Sequence, residues 1–140
     1  MKDSNLSLRE RRQAAVQMHI DAENSGDLDQ MIRSFHRPRY EVFPMGAVFE
    51  GEEPVRQLVA GLVGAFPDFD FRPTKFHHAD EAVIVEARMT GTHRVAWAGI
   101  EPQGRKLDIP LVCIFDFEED RLVNEKVVFD LAAVQRQLAG

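Results

Sequence analysis

The apolar positions along the chain change period near its middle. From Leu8 to Asn24, Ala15, Met18 and Ala22 recur at helical spacing, with Ile20 widening the stripe, and predict an amphipathic helix. Ser7 stands at the N-cap position and Glu10 follows three residues later, the pairing of a capping box. Asn24-Ser25-Gly26-Asp27 ends this helix. Asp27 then caps a shorter one with Leu28, Met31, Ile32 and Phe35 facing inward. Pro38 closes it, because proline disfavours the helical conformation at the preceding Arg37. Tyr40 to Met45 reads as a strand, and Val48-Phe49 as a second short one across a turn at Gly46. Pro54 falls in the first turn of a third helix, which carries Val55, Leu58, Val59, Leu62 and Val63 on one face and is stopped by Pro67.

Beyond Pro67 a period of two takes over. It predicts strands over 69–78, 81–93, 106–117 and 121–129, with tight turns at Ala79-Asp80 and Glu118-Glu119-Asp120 and a longer connection over 94–105. Asp130 to Leu138 forms a last short helix. Helices followed by a run of strands predict an α+β fold with helices on one face of an antiparallel sheet. In the strand over 81–93, Glu86, Arg88, Thr90 and Thr92 share one face, opposite Val83 or Val85, Ala87 and Met89. Alternation does not tell which face is concave. The polar row is either a solvated outer face or a pocket wall with Arg88 and Glu86 paired.

A length of 140 residues suits one domain over 1–140, with 1–7 expected to fray. Such a chain buries enough surface to fold without a metal or a disulfide. Seventeen Lys and Arg against 23 Asp and Glu leave a net charge of −6 and no basic stripe, which argues against a nucleic-acid partner. No apolar run approaches a membrane span. The polar start of the chain carries no secretory signal, and the single Cys113 has no internal partner, so a cytoplasmic location is expected. His77 and His78 are adjacent in a strand and point to opposite faces, and no metal-ligand spacing occurs elsewhere. Phosphate-cradling and dinucleotide-binding glycine motifs are missing too. Neither a metal nor a cofactor is expected.

Four local strings occur in this order: Ala65-Phe66-Pro67-Asp68-Phe69, Gly91-Thr92-His93, Gly99 to Arg105, and Asp130 with Gln137-Leu138. With the order of elements, the chain from about residue 15 to its end resembles the SnoaL-like polyketide cyclases of the nuclear transport factor 2-like superfamily. The resemblance implies a cystatin-like cone, in which a strongly curved sheet and the N-terminal helices enclose a pocket. It also implies a homodimer through the sheet's outer face and cofactor-free acid–base chemistry on a small hydrophobic molecule. Asp130 stands where the cyclases carry their acid–base carboxylate. This sequence departs from the pattern at Val95, where a glycine is usual, and at Lys126, where an aromatic residue is usual.

On chemistry alone, Asp130 ends the apolar run Val127-Val128-Phe129, where burial would raise a carboxyl toward neutrality and suit it to general acid–base work. It equally suits the N-cap of the helix that follows. Lys126 shares its side of the strand and would oppose that rise. His93 at a strand end could donate to a developing oxyanion, or simply bond to backbone. Tyr40 and His36 could hydrogen-bond a substrate carbonyl, Trp97 could stack on a flat ligand, and Arg88 with Lys126 would complete a substrate-binding set. The expected activity is a cyclase or isomerase acting by aldol-like chemistry on a hydrophobic carbonyl compound. The alternative is a non-catalytic ligand-binding or dimerisation module.

Overall fold

The computed structural model describes residues 6–140. In chain order the elements are α1 (Leu8–Ser25), α2 (Leu28–Arg33), β1 (Arg39–Val42), β2 (Ala47–Glu50), α3 (Glu52–Ala65), β3 (Asp70–His78), β4 (Ala82–Thr92), β5 (Lys106–Glu118), β6 (Arg121–Val128) and α4 (Leu131–Ala139). The α+β class and the order of elements match the sequence expectation. The fraying expected over 1–7 falls mostly on residues outside those described. Ser7 itself is a working cap: its hydroxyl accepts from the Glu10 amide at 3.1 Å, and the Glu10 carboxylate accepts from the Ser7 amide at 2.9 Å.

One six-stranded sheet runs in the order β2-β1-β6-β5-β4-β3. Its pairs are antiparallel except β1 with β6, which are parallel. The expected strand to Met45 stops at Val42. Phe43–Met45 forms a 3-10 turn instead, because Pro44 has no amide to give to a ladder.

The core lies between the sheet's concave face and α1, α2 and α3. Every second residue of β4 and β5 is buried there, including Val83, Val85, Ala87 and Met89 from one strand and Leu111, Cys113 and Phe115 from the other. The helices cover them with Val16, Ile20, Met31, Val55 and Val59. Glu86, Arg88 and Thr90 therefore form the outer face. Glu86 pairs there with His77 at 2.6 Å, not with Arg88, whose guanidinium meets Asp108 at 2.8 Å.

Two irregularities shape this frame. In β6 the register slips: Phe117 pairs with Leu122 but Asp116 pairs with Asn124, so Val123 is an extra, unpaired residue. The bulge moves the inward positions from even to odd numbers. Leu122 faces in, and after it Glu125 and Val127 do, while Lys126 and Val128 turn outward. The second irregularity is Gly91, where β4 passes against Phe66 at the end of α3. A β-carbon at Gly91 would lie 2.8 Å from that of Phe66, so only glycine lets the two backbones approach.

Gly91→Ala is expected to cost about 1–3 kcal/mol through overpacking against Phe66. Urea unfolding monitored by circular dichroism measures it, and an unchanged midpoint would show that Phe66 yields freely.

Candidate active site

The fully buried face of α1 carries two ionisable residues one turn apart, His19 and Glu23. Tyr40 of β1 and Glu125 of β6 are parallel register partners and turn to the same concave side. These four side chains meet over the core. His19 Nε2 lies 2.9 Å from Glu125 Oε1, 3.2 Å from Glu23 Oε2 and 2.9 Å from the Tyr40 hydroxyl. The Tyr40 hydroxyl donates to Glu23 Oε2 at 2.7 Å. Ser34, at the end of α2, closes the set: its oxygen is 2.8 Å from His19 Nδ1.

The proton inventory follows from valence. Ser34 has one hydrogen and donates it to the carbonyl of Met31. Its oxygen can therefore only accept, and His19 Nδ1 must carry a proton. Burial opposes charge on His19, but the Glu23 and Glu125 carboxylates outweigh it and push its pKa up to about 10. His19 is thus an imidazolium at neutral pH, with Nε2–H directed among Tyr40, Glu125 and Glu23. Burial raises the proton affinity of Glu125, His19 opposes that rise and Glu23 adds to it, leaving Glu125 above the usual carboxylate range. Glu125 Oε1 sits beside Nε2 as an ion pair but has no aligned hydrogen-bond donor, although it is buried. Burial, reinforced by both carboxylates, also raises the Tyr40 phenol well above its ordinary value.

The cluster forms the floor of a cavity of about 160 Å³. Counted out to its open mouth, the empty space reaches about 770 Å³. Apart from Glu23, Tyr40 and Glu125, its walls are apolar: Val59 and Leu62 from α3, Phe69 and Phe71 at the start of β3, Met89, Leu111, Cys113 and Val127. Met45, Leu58, Trp97, Ala98 and Phe129 stand at the more exposed rim. Trp97 is held there by a two-residue turn in which Trp97 and Ile100 exchange backbone hydrogen bonds. Ala98 and Gly99 both have positive φ, 53° and 75°, as such a turn requires.

Among the described residues, His19, Glu23 and Glu125 are the one group of metal-ligand type, with donor atoms within 4.8 Å of one another. Protonated at both ring nitrogens, His19 has no lone pair to offer. The group holds protons unless Nε2 gives its proton up first.

Of the residues singled out from sequence, Tyr40 and Trp97 line the cavity. Asp130 does not. Its side chain is exposed and accepts from the Ala133 amide at 3.2 Å as the N-cap of α4, in a shallow outer groove with Arg88 and Val128. The bulge explains this, since Lys126, Val128 and Asp130 do share a side, but that side is the outer one. Lys126 pairs there with Asp116 at 3.3 Å. His36 is exposed, and its amide donates to the Leu122 carbonyl. His93 is fully buried behind the wall, its ring stacked on Phe66 at 5.3 Å between centroids, with neither ring nitrogen hydrogen-bonded.

Sequence reasoning missed His19, Glu23 and Glu125. On α1 the buried residues are Arg12, Val16, His19, Ile20, Ala22 and Glu23; Ile20 and Ala22 face inward as expected, while Met18, expected inward, is exposed. Helical spacing was present, but only when polar residues are counted as candidates for burial.

Residues 13–138 match the family model described as SnoaL-like polyketide cyclase. Among solved structures, the chain superposes on a proposed SnoaL-like polyketide cyclase from Jannaschia with a TM-score of 0.84 at 23% identity, covering 94% of this chain and 93% of that one. A proposed hydroxylase from Streptomyces galilaeus gives 0.79 at 22% identity, covering 95% and 83%. A protein of ketosteroid isomerase-like fold from Catenulispora acidiphila, in complex with trimethylamine, gives 0.75 at 16% identity, covering 89% and 92%. No curated protein matches the chain in sequence.

Two outcomes test this geometry. His19 titrates at about 10 when folded, against an ordinary 6.5, so its contribution to stability is complete below pH 6.5 and is lost as pH rises through 10. The raised Glu125 acts in the same direction. Urea midpoints are expected to fall across that window in the parent and to fall less steeply in His19→Gln, in which Glu125 still titrates. Equal slopes would remove the imidazolium. Asp130→Ala is expected to cost about 0.5–2 kcal/mol, as loss of a helix cap does, and to leave ligand binding in the cavity unchanged.

Proposed function

Because the chain belongs to the SnoaL-like polyketide cyclase family, we propose that it is a small-molecule enzyme of cyclase or isomerase type, moving protons on a hydrophobic carbonyl compound with groups on the floor of its cavity. The observation that carries this reading is the buried acid–base cluster placed at the end of an otherwise apolar cavity. Apolar walls bind a hydrocarbon body and exclude water, which strengthens every electrostatic interaction at the floor.

In this reading Glu125 is the group that takes and returns the proton. Its raised proton affinity brings it toward the working pH, where a general base and its conjugate acid are both useful. Its Oε1 is held against His19 Nε2 at 2.9 Å, while the carboxylate as a whole lines the cavity floor. His19 holds the carboxylate form before transfer. Tyr40, whose hydroxyl proton rests on Glu23 Oε2 in the free protein, turns that proton to the substrate oxygen on binding and stabilises negative charge there. Proton removal α to the carbonyl gives an enolate. Attack of that enolate on a second carbonyl held nearby would close a ring, and reprotonation at another carbon would give an isomer. Acid–base duty thus passes from Asp130 and His93 to residues of α1, β1 and β6.

A second reading keeps the cavity and removes the chemistry. An apolar cavity of this kind holds a small ligand whether or not the cluster moves a proton, which supports a non-catalytic module. In both readings we propose a homodimer through the sheet's outer face, where Val112, Ile114 and Val128 lie among the Arg88–Asp108 and Lys126–Asp116 pairs.

The test is exchange of α-protons of cyclohex-2-en-1-one in deuterium oxide, followed by proton NMR. The protein is expected to accelerate exchange, Glu125→Gln to lose about 10²–10⁴-fold of that acceleration, and Asp130→Asn to keep it. Exchange at the buffer rate, with the ketone bound, would select the second reading.

A further inference from the structure

The cavity sets a size limit that the family description does not contain. A space of about 160 Å³ lies above the cluster. That is close to the ~150 Å³ of an apolar cavity that accepts benzene, and below the roughly 300–1,000 Å³ usual for drug-sized ligands. The space cannot extend downward, because Tyr40, Glu23 and Glu125 close the floor and are themselves packed against His19 and Phe115. It cannot widen cheaply, because Phe71, Met89 and Leu111 in its walls are core residues, each 6% exposed or less. Toward solvent it ends at Met45, Ala98 and Phe129. A second ring would stand between exposed Met45 and Ala98, with half-buried Phe129 beside it, and gain little from burial.

The chemistry of the lining narrows the class further. Polar atoms are confined to one end, so the ligand carries its polar atom at one end and a bare hydrocarbon body elsewhere. Two carboxyl groups at that end and one cationic histidine, already paired with them, oppose a ligand carboxylate. A carbonyl oxygen meets no such penalty and accepts from the Tyr40 hydroxyl once that proton turns away from Glu23.

We propose that this site takes a neutral monocarbonyl compound of single-ring size, its oxygen at the Tyr40–Glu125 floor and its ring against Phe71, Met89 and Leu111, and not a multi-ring or long-chain polyketide. Met89 and Leu111 are then the residues that set specificity by size. The proposal rests on the cavity assigned above as the active site, but its test reads binding, not turnover.

Affinities of the intact protein for cyclohex-2-en-1-one, benzoate, 1-tetralone and anthrone, measured by ligand-observed NMR, decide it. The single-ring ketone is expected to bind at least tenfold more tightly than tetralone, with no binding of anthrone or benzoate. In Met89→Ala the preference between cyclohexenone and tetralone should shift at least tenfold toward the larger ketone. Leu62→Ala, at a half-buried helix position, carries the same expectation should the core variant fail to fold. Tetralone or anthrone binding as tightly as cyclohexenone, benzoate binding equally well, or no binding of any probe at millimolar concentration would overturn the proposal. The two ideas fail separately. A protein that shows this size order without α-proton exchange loses its proposed chemistry and keeps its size limit. One that exchanges the α-protons of tetralone as fast as those of cyclohexenone loses the limit and keeps the chemistry.

Discussion

The arrangement turns on one buried cation. His19 is fully enclosed, and an isolated imidazolium there would cost several kcal/mol in lost hydration. It persists because Glu23 comes from its own helix and Glu125 from β6 on the facing side of the sheet, each within 3.2 Å of the same nitrogen. Ser34 fixes the ring from the other side. Four elements therefore have to be in place together before any of these groups is satisfied. An apolar core tolerates small sliding of a helix over a sheet, whereas a buried ion pair does not. The cluster thus fixes how α1 sits on β1 and β6. The same constraint holds Glu125 Oε1 against His19 and leaves the carboxylate at the floor of the cavity.

Much of the fold was legible in the chain because its signals are local. The capping box of Ser7 and Glu10, the stop at Gly26, Pro67 after α3, and the alternation along β4 and β5 each act within a few residues. The failures share a cause of another kind. Pro44 ended a strand whose hydrophobic pattern ran on to Met45. The extra residue Val123 reversed the faces of β6, and no periodicity argument detects one unpaired position. The face carrying Lys126, Val128 and Asp130 was grouped correctly yet points away from the cavity.

The candidate site was harder to read for a physical reason. The usual expectation puts apolar residues inside and charged ones outside, so it passed over His19, Glu23 and Glu125. Their burial depends on partners distant in sequence, and a charge is affordable in a core only when its partner is counted. Tyr40 and Trp97 were recognised because aromatic residues with a polar end suit pocket walls at any depth. Asp130 was identified both as a cap and as a family acid. Its helix-capping bond, visible in the local sequence, describes it best.

The bulge at Val123 also bears on how such a scaffold can change over time. Because a strand has a period of two, the residues entering the cavity from β6 are decided by register as much as by identity. Losing the extra residue would leave the composition of β6 nearly unchanged, yet it would exchange which parity of the segment Asn124-Glu125-Lys126-Val127 looks inward relative to the strand's start. An acid could then give way to an amide or a base without any substitution. Insertions and deletions of one residue, ordinarily regarded as damage in a sheet, are in this fold a route by which one ancestor could yield descendants with different reactive groups between the same hydrophobic walls.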